Sequence, residues 1–137
     1  LDKQLKYFVG IDWGSQNHRV VVLNHEGRMI ERYDAAHSGK GLENLVDRLR
    51  KTCAGAEIQT GIALEVSWGA LVETLVEAGF SVFSINPTQS DRFRDRHTAA
   101  GAKDDSRDAL VLASALRTDL KSFRCVQVDD PSTIRFA

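Results

Sequence analysis

Residues 6–35 read KYFVGIDWGSQNHRVVVLNHEGRMIERYDA. Three segments of this stretch, Lys6–Asp12, Arg19–Asn24 and Arg28–Ala35, are rich in Val, Ile, Phe and Tyr. β-Branched and aromatic side chains at this density favour strands. His25-Glu26-Gly27 fits a tight hairpin turn, with Gly27 free to take a positive φ. Asp12-Trp-Gly-Ser-Gln-Asn makes a looser turn before it. An antiparallel meander of three strands is the expected result.

Working outward, the pattern changes to alternating helices and strands. Leu42, Leu45, Val46 and Leu49 keep helical spacing and predict a helix over Gly39–Thr52, with Ser38 as its N-cap. A strand is expected over Glu57–Glu65. A helix over Ser67–Ala78 follows, with Leu71, Val72, Leu75 and Val76 on its apolar face and Gly79 as its C-cap. Strand Ser81–Ile85 stops at Asn86-Pro87, because proline cannot continue a ladder. The polar stretch Thr88–Lys103 has weak periodicity and is expected to be helical only in part. A helix over Asp104–Thr118 and an edge strand or extended segment over Ser122–Val128 complete the series. The order β-β-β-α-β-α-β-α gives an α/β architecture, a mixed sheet with helices on both faces. That is the order of the ribonuclease H-like fold.

Composition sets bounds on function. The content is 42% hydrophobic and 27% charged, as in ordinary globular domains, and the chain is long enough for one domain with a core. No apolar run approaches the ~20 residues of a membrane span, so a cytoplasmic protein with no membrane partner is expected. Cys53 and Cys125 lie far apart with no Cys or His at ligand spacing, and read as free thiols of a reducing compartment. A net charge of −1 neither advertises nor excludes nucleic-acid binding, since a carboxylate-rich site lowers the sum while basic residues cluster elsewhere.

The carboxylates carry the chemistry. Asp12 ends the first hydrophobic run and Glu65 ends the run Ile58–Glu65. Asp105 and Asp108, three apart, point from one helical face. Any one of these has a bland explanation: acids suit the first turn of a helix, and a strand-end Asp is common. Together they suggest a site, because converging carboxylates repel one another unless cations fill it. Hard oxygen ligands suit Mg²⁺ or Mn²⁺ better than Zn²⁺, and two such ions ~4 Å apart serve phosphodiester chemistry. Spacing alone leaves Asp104, four residues before Asp108, as a competitor to Asp105.

Gly10-Ile-Asp12, His18, the Glu65 strand end, Asn86-Pro87 and Lys103-Asp-Asp105-Ser-Arg-Asp108-Ala109 resemble the N-terminal domain of DEDD-type insertion-sequence transposases. These are bridge-RNA-guided recombinases whose first domain is similar to RuvC-type Holliday-junction resolvases. The resemblance covers Tyr7 to Val128. Its pattern Lys-Thr-Asp-x-x-Asp-Ala selects Asp105 over Asp104; here Asp104 replaces the Thr and adds a negative charge. Trp13-Gly14-Ser15 departs from the usual Ser-Lys after the first Asp. The resemblance implies a RuvC-like, metal-binding catalytic domain over residues 1–128, with Asp12, Glu65, Asp105 and Asp108 as catalytic metal ligands for Mg²⁺ or Mn²⁺. It implies action on DNA directed by a structured guide RNA, a homo-oligomer, and a second domain carrying a serine nucleophile. A prokaryotic, nucleoid-associated protein is implied as well. Asp130-Pro131-Ser132-Thr133 places an N-cap candidate before a proline at a first helical position, so 129–137 read as the start of a linker or helix to that second domain.

Arg92, Arg94, Arg96, Lys103 and Arg107 are the candidate nucleic-acid contacts. Charge alone does not separate that role from a solvated basic loop, and the resemblance favours contact. Phe93 is expected to anchor its segment in the core, Trp68 to be core, Trp13 to be partly exposed, and His18 to be a surface residue starting a strand. Two rival functions remain. Asp12-Trp-Gly-Ser15 resembles the phosphate turn of actin-like and sugar-kinase ATPases, although no second Gly-rich turn occurs. A non-catalytic nucleic-acid-binding scaffold of the same fold is the other.

Overall fold

The structure is a computed structural model that describes residues 4–97 and 107–127. The three opening segments form the expected meander: β1 (Tyr7–Asp12), β2 (Asn17–Asn24) and β3 (Met29–Ala36), paired antiparallel. Gly27 takes φ 87° in the hairpin, where Asn24 Oδ1 accepts the N–H groups of Glu26 and Arg28. Helix α1 (Gly39–Cys53) begins where Ser38 accepts the Gly41 N–H at 3.0 Å, which satisfies one of its orphan donors.

Strand β4 is shorter than the Glu57–Glu65 run. Glu57–Gln59 form a 3₁₀ turn and β4 spans Thr60–Leu64, with Glu65 just past its end. Helix α2 (Ala70–Glu77) also starts later than its apolar spacing suggests, because Gly69 at φ 105° turns the chain immediately before it. β5 (Ser81–Ser84) leads to Asn86-Pro87, where proline sits in the first turn of a new helix, α3 (Pro87–His97). Asn86 Oδ1 accepts the Gln89 N–H at 2.8 Å and caps it. The polar stretch is therefore helical through His97. Helix α4 is described from Arg107 to Thr118, and β6 (Arg124–Val126) is the last edge strand; the expected helical residues Asp104–Ser106 lie outside the described residues.

The sheet order is β3-β2-β1-β4-β5-β6, with β1, β4 and β5 parallel and β6 antiparallel to β5. Side chains alternate across it. Val9, Ile11, Val20, Val22, Ile62, Leu64 and Val82 meet Leu42, Leu45, Leu49, Leu71 and Leu75 of α1 and α2 on one face. Phe8, Val21, Leu23 and Ala63 meet Ala109, Leu112, Ala113 and Leu116 of α4 on the other, with Phe93 of α3. Helices thus cover both faces, as the element order requires. Among the described residues no helix is long and apolar enough to cross a membrane.

Candidate functional site

The site follows from strand parity. Val9 and Ile11 face α1 and α2, so Phe8, Gly10 and Asp12 face α4. On β4, Ile62 and Leu64 take the first face and Ala63 the second, which puts Glu65 next in line on the α4 side. The parallel register pairs Gly10 with Ala63, and two further residues bring Asp12 beside Glu65. Chain connectivity reverses direction across the sheet at β1 and β4: β2 and β3 extend one way, β5 and β6 the other. Carboxyl ends of strands at such a switch point form the crevice where α/β sheets bind ligands.

Gly10 brings the third acid. A Cβ on Gly10 would lie 1.9 Å from the Ala109 carbonyl oxygen and 2.7 Å from the Ala113 nitrogen. Only a residue without a side chain lets α4 rest its backbone on β1. Asp108, the residue before Ala109, is thereby delivered over the end of β1.

The electrostatics agree with this geometry. Asp12 is half-buried, and its carboxyl is pushed up to about 6 by desolvation, then by the charges of Asp108 and Glu65; Arg94 and Arg19 oppose the shift. Arg19, opposite Asp12 in the β1–β2 register, is tied to Asp34 at 2.7 Å. Arg94 enters the cluster itself. Its Nη2 donates to Glu65 Oε1 at 2.8 Å, its Nε to Asp108 Oδ1 at 2.9 Å, and its Nη1 to Asp91 Oδ1 at 2.8 Å. The Ser90 hydroxyl accepts from Arg94 Nη1 at 3.1 Å and donates to Glu65 Oε2. Among the described residues no three Asp, Glu, His or Cys side chains stand ready to enclose an ion, and the guanidinium stands between Glu65 and Asp108 instead. The donor set nonetheless suits a hard cation. Oxygen ligands converge, and burial, reinforced by the charges of Asp108 and Glu65, holds the Asp12 carboxyl at about 6 even with Arg94 in place.

The structure thus brings together three of the four acids singled out from sequence: Asp12, Glu65 and Asp108. Asp105 lies outside the described residues, as do Asp104 and Lys103. Arg92 is exposed on α3; Arg96 and Arg107 lie on α3 and α4, with their side chains outside the description. Arg94, read as a nucleic-acid contact, sits among the acids. Sequence reasoning missed Ser90 and Asp91, four and three residues before Arg94, although their helical spacing was a usable signal. It also missed Lys121 and Arg124. These line an open cleft of about 500 Å³ with Glu65, Ser67, Ser84 and Asn86.

Beside Asp12, on the other face, lies a cluster of two histidines and Trp13. His18 is fully buried, a correction to its expected surface position. Its Nδ1 accepts the Gly14 N–H at 3.3 Å and its Nε2 pairs with His37 Nδ1 at 2.9 Å. Burial, then the neighbouring His37, lowers its pKa from the ordinary 6.5. Trp13 is partly exposed and packs against both histidines at 5.2 and 5.6 Å between ring centroids. Trp68 is 70% exposed rather than core, because it precedes the Gly69 turn instead of starting α2. Phe93 is buried as expected and stacks on Phe123. The Gly14 N–H, which a phosphate-binding turn would need, is directed at His18.

Comparison with known proteins converges on one family. Residues 9–136 match the family model of IS110-type DEDD transposases. The chain is 51% identical over 130 residues to y4uE of Sinorhizobium fredii, named as a transposase, covering 93% of this chain and 36% of that one. It is 34% identical over 128 residues to the IS117 mini-circle protein of Streptomyces coelicolor, also named as a transposase, covering 93% and 31%. The chain therefore spans about a third of the length of these curated relatives. In fold it is similar to Thermus thermophilus RuvC, with a TM-score of 0.59 at 17% identity. RuvC bound to a Holliday junction gives 0.57 at 14%; each alignment covers 88% of this chain and 99% of the other. With a RuvC-like, ribonuclease H-like sheet and a match over nearly its whole length, this chain belongs to the IS110-type DEDD transposase family.

Proposed function

We propose that this chain is the cation-binding, DNA-acting domain of a transposase. The observation that carries the reading is the convergence of Asp12, Glu65 and Asp108 at the switch point of the sheet, with the Asp12 carboxyl pushed up to about 6. Asp105 is the proposed fourth ligand, on the pattern Lys103-Asp-Asp105-Ser-Arg-Asp108-Ala109. Mg²⁺ or Mn²⁺ is the proposed cofactor. Bound there, such ions supply activation of an attacking oxygen and stabilisation of a leaving oxygen at a phosphodiester. The chain's own part is placement. β1 and β4 fix two carboxylates side by side, and α4 holds a third over them on the Gly10 contact.

DNA is the proposed substrate, supported by the family and by the RuvC fold solved on a Holliday junction. Arg92, Arg96, Lys103 and Arg107 are proposed phosphate contacts, with Lys121 and Arg124 on the cleft beside Glu65. The family resemblance further supports an RNA-guided homo-oligomer acting in the prokaryotic cytoplasm, with a serine nucleophile on another domain.

Titration with Mn²⁺ tests the reading. The chain is expected to bind the ion, and Asp12→Ala to lose most of that affinity; equal, weak binding by both would count against the site. Lys121→Ala and Arg124→Ala are expected to weaken DNA binding evenly across sequences and each to reduce the salt slope by about one. An unchanged slope removes the cleft from the DNA path.

A further inference from the structure

Arg94 is the feature that a metal site does not explain. Its side chain is only 22% exposed, and four of its five N–H donors are engaged, by Glu65, Asp108, Asp91 and Ser90. Glu65 and Asp108 are two of the acids that the proposed function assigns to a cation. Ser90, Asp91 and Arg94 share one side of α3, and the neighbouring Phe93 is buried against the α4 core, so the helix fixes where the guanidinium reaches. A planar fork matches carboxylates on several edges at once, which a point charge cannot do.

We propose that Arg94 is a built-in counter-cation that guards the metal site. In the ion-free chain its guanidinium occupies the ground between Glu65 and Asp108. A divalent ion gains those oxygens only when Arg94 leaves them. Because arginine stays charged at any physiological pH, it cannot vacate the site by losing a proton; it has to move. Ion binding is therefore coupled to release of an arginine at the edge of the DNA site. This rests on the proposal that Asp12, Glu65 and Asp108 bind the ion.

The coupling has a measurable size. If the arginine-free arrangement is populated about one-tenth of the time, apparent ion affinity is reduced about tenfold. Arg94→Gln is then expected to bind Mn²⁺ about tenfold more tightly than the unmodified chain. Arg94→Lys keeps the charge but can serve only one carboxylate well, and should bind about threefold more tightly. Equal affinity in Arg94→Lys and the unmodified chain would reduce the effect to simple charge repulsion and overturn the guard. A second measurement needs no folded variant. The Nε–H resonance of Arg94, bonded to Asp108 at 2.9 Å, should shift and lose its exchange protection as Mg²⁺ is added. Mg²⁺ binding that leaves this signal unmoved overturns the guard and spares the metal site. No ion binding by the unmodified chain or by either variant overturns both.

Discussion

On the α1/α2 side of the sheet, the core of Val, Ile and Leu side chains runs up to a histidine pair, His18 and His37, packed against Trp13. On the α4 side it stops at carboxylates held by one arginine. The two ends lie beside each other, since His18 belongs to the first face and Asp12 to the second. The histidine end is closed at His18: both of its ring nitrogens have partners, and the ring is fully buried. The charged end has more acids than its arginine pairs with; burial first, then the charges of Asp108 and Glu65, pushes the Asp12 carboxyl up to about 6. A polar cluster that satisfies itself stabilises the fold; one left in excess has capacity to bind something.

The largest expected effect lies where α4 meets β1. Gly10→Ala must displace helix backbone, and is expected to cost about 3 kcal/mol or more. Val9→Ala, on the other face, only removes buried methyl groups and should cost about 2 kcal/mol. Urea unfolding compares them; a milder Gly10→Ala would mean that close approach does not seat α4.

Next comes the histidine end. His18→Ala removes a fully buried ring and strands the Gly14 N–H, for a loss of about 2–3 kcal/mol near neutral pH. His18 has its pKa depressed by folding, so the unfolded chain takes up its proton first. Its contribution is present above about 6.5 and is lost as pH falls through the folded value. Stability of the unmodified chain should therefore fall on acidification by more than that of the variant. Parallel profiles would show that protonation of His18 is not linked to folding.

Asp12→Asn should act in the opposite sense. A carboxyl raised by folding opposes the native state once it ionises, so stability declines as pH rises from the unfolded value of 3.8 through about 6. In ion-free buffer the variant is expected to melt a few degrees higher than the unmodified chain above pH 6. The gain should vanish below pH 4. An equal gain at all pH values would assign it to something other than charge. The smallest effect belongs to Trp68→Ala, expected within about 0.5 kcal/mol because the ring is 70% exposed.

Much of this contrast was legible in the sequence. The meander, the Ser38 cap, the Gly27 and Gly79 turns and the strand ends bearing Asp12 and Glu65 follow from local patterns that tertiary packing reinforces. His18 was misplaced although its parity with Val20 and Val22 pointed inward; a polar ring beside Asn17 and Arg19 obscured the alternation. Trp68 was misplaced because apolar spacing locates a helix but not its first residue, which Gly69 decides. Arg94 was hidden for a different reason. Its helix has one buried phenylalanine amid charges, and its three carboxylate partners come from α3, α4 and the end of β4. No window of sequence contains that geometry.

The contact at Gly10 also has a consequence for timing. Asp12 and Asp108 become neighbours only when a helix near the end of the described chain settles on the first strand. Contacts this distant in sequence form late, after the entropy of closing a long loop has been met. During synthesis, the growing polypeptide would carry Asp12, Glu65 and Asp108 as separate acids until α4 had emerged. The glycine that seats the helix thus also ties the meeting of these acids to the docking of α4.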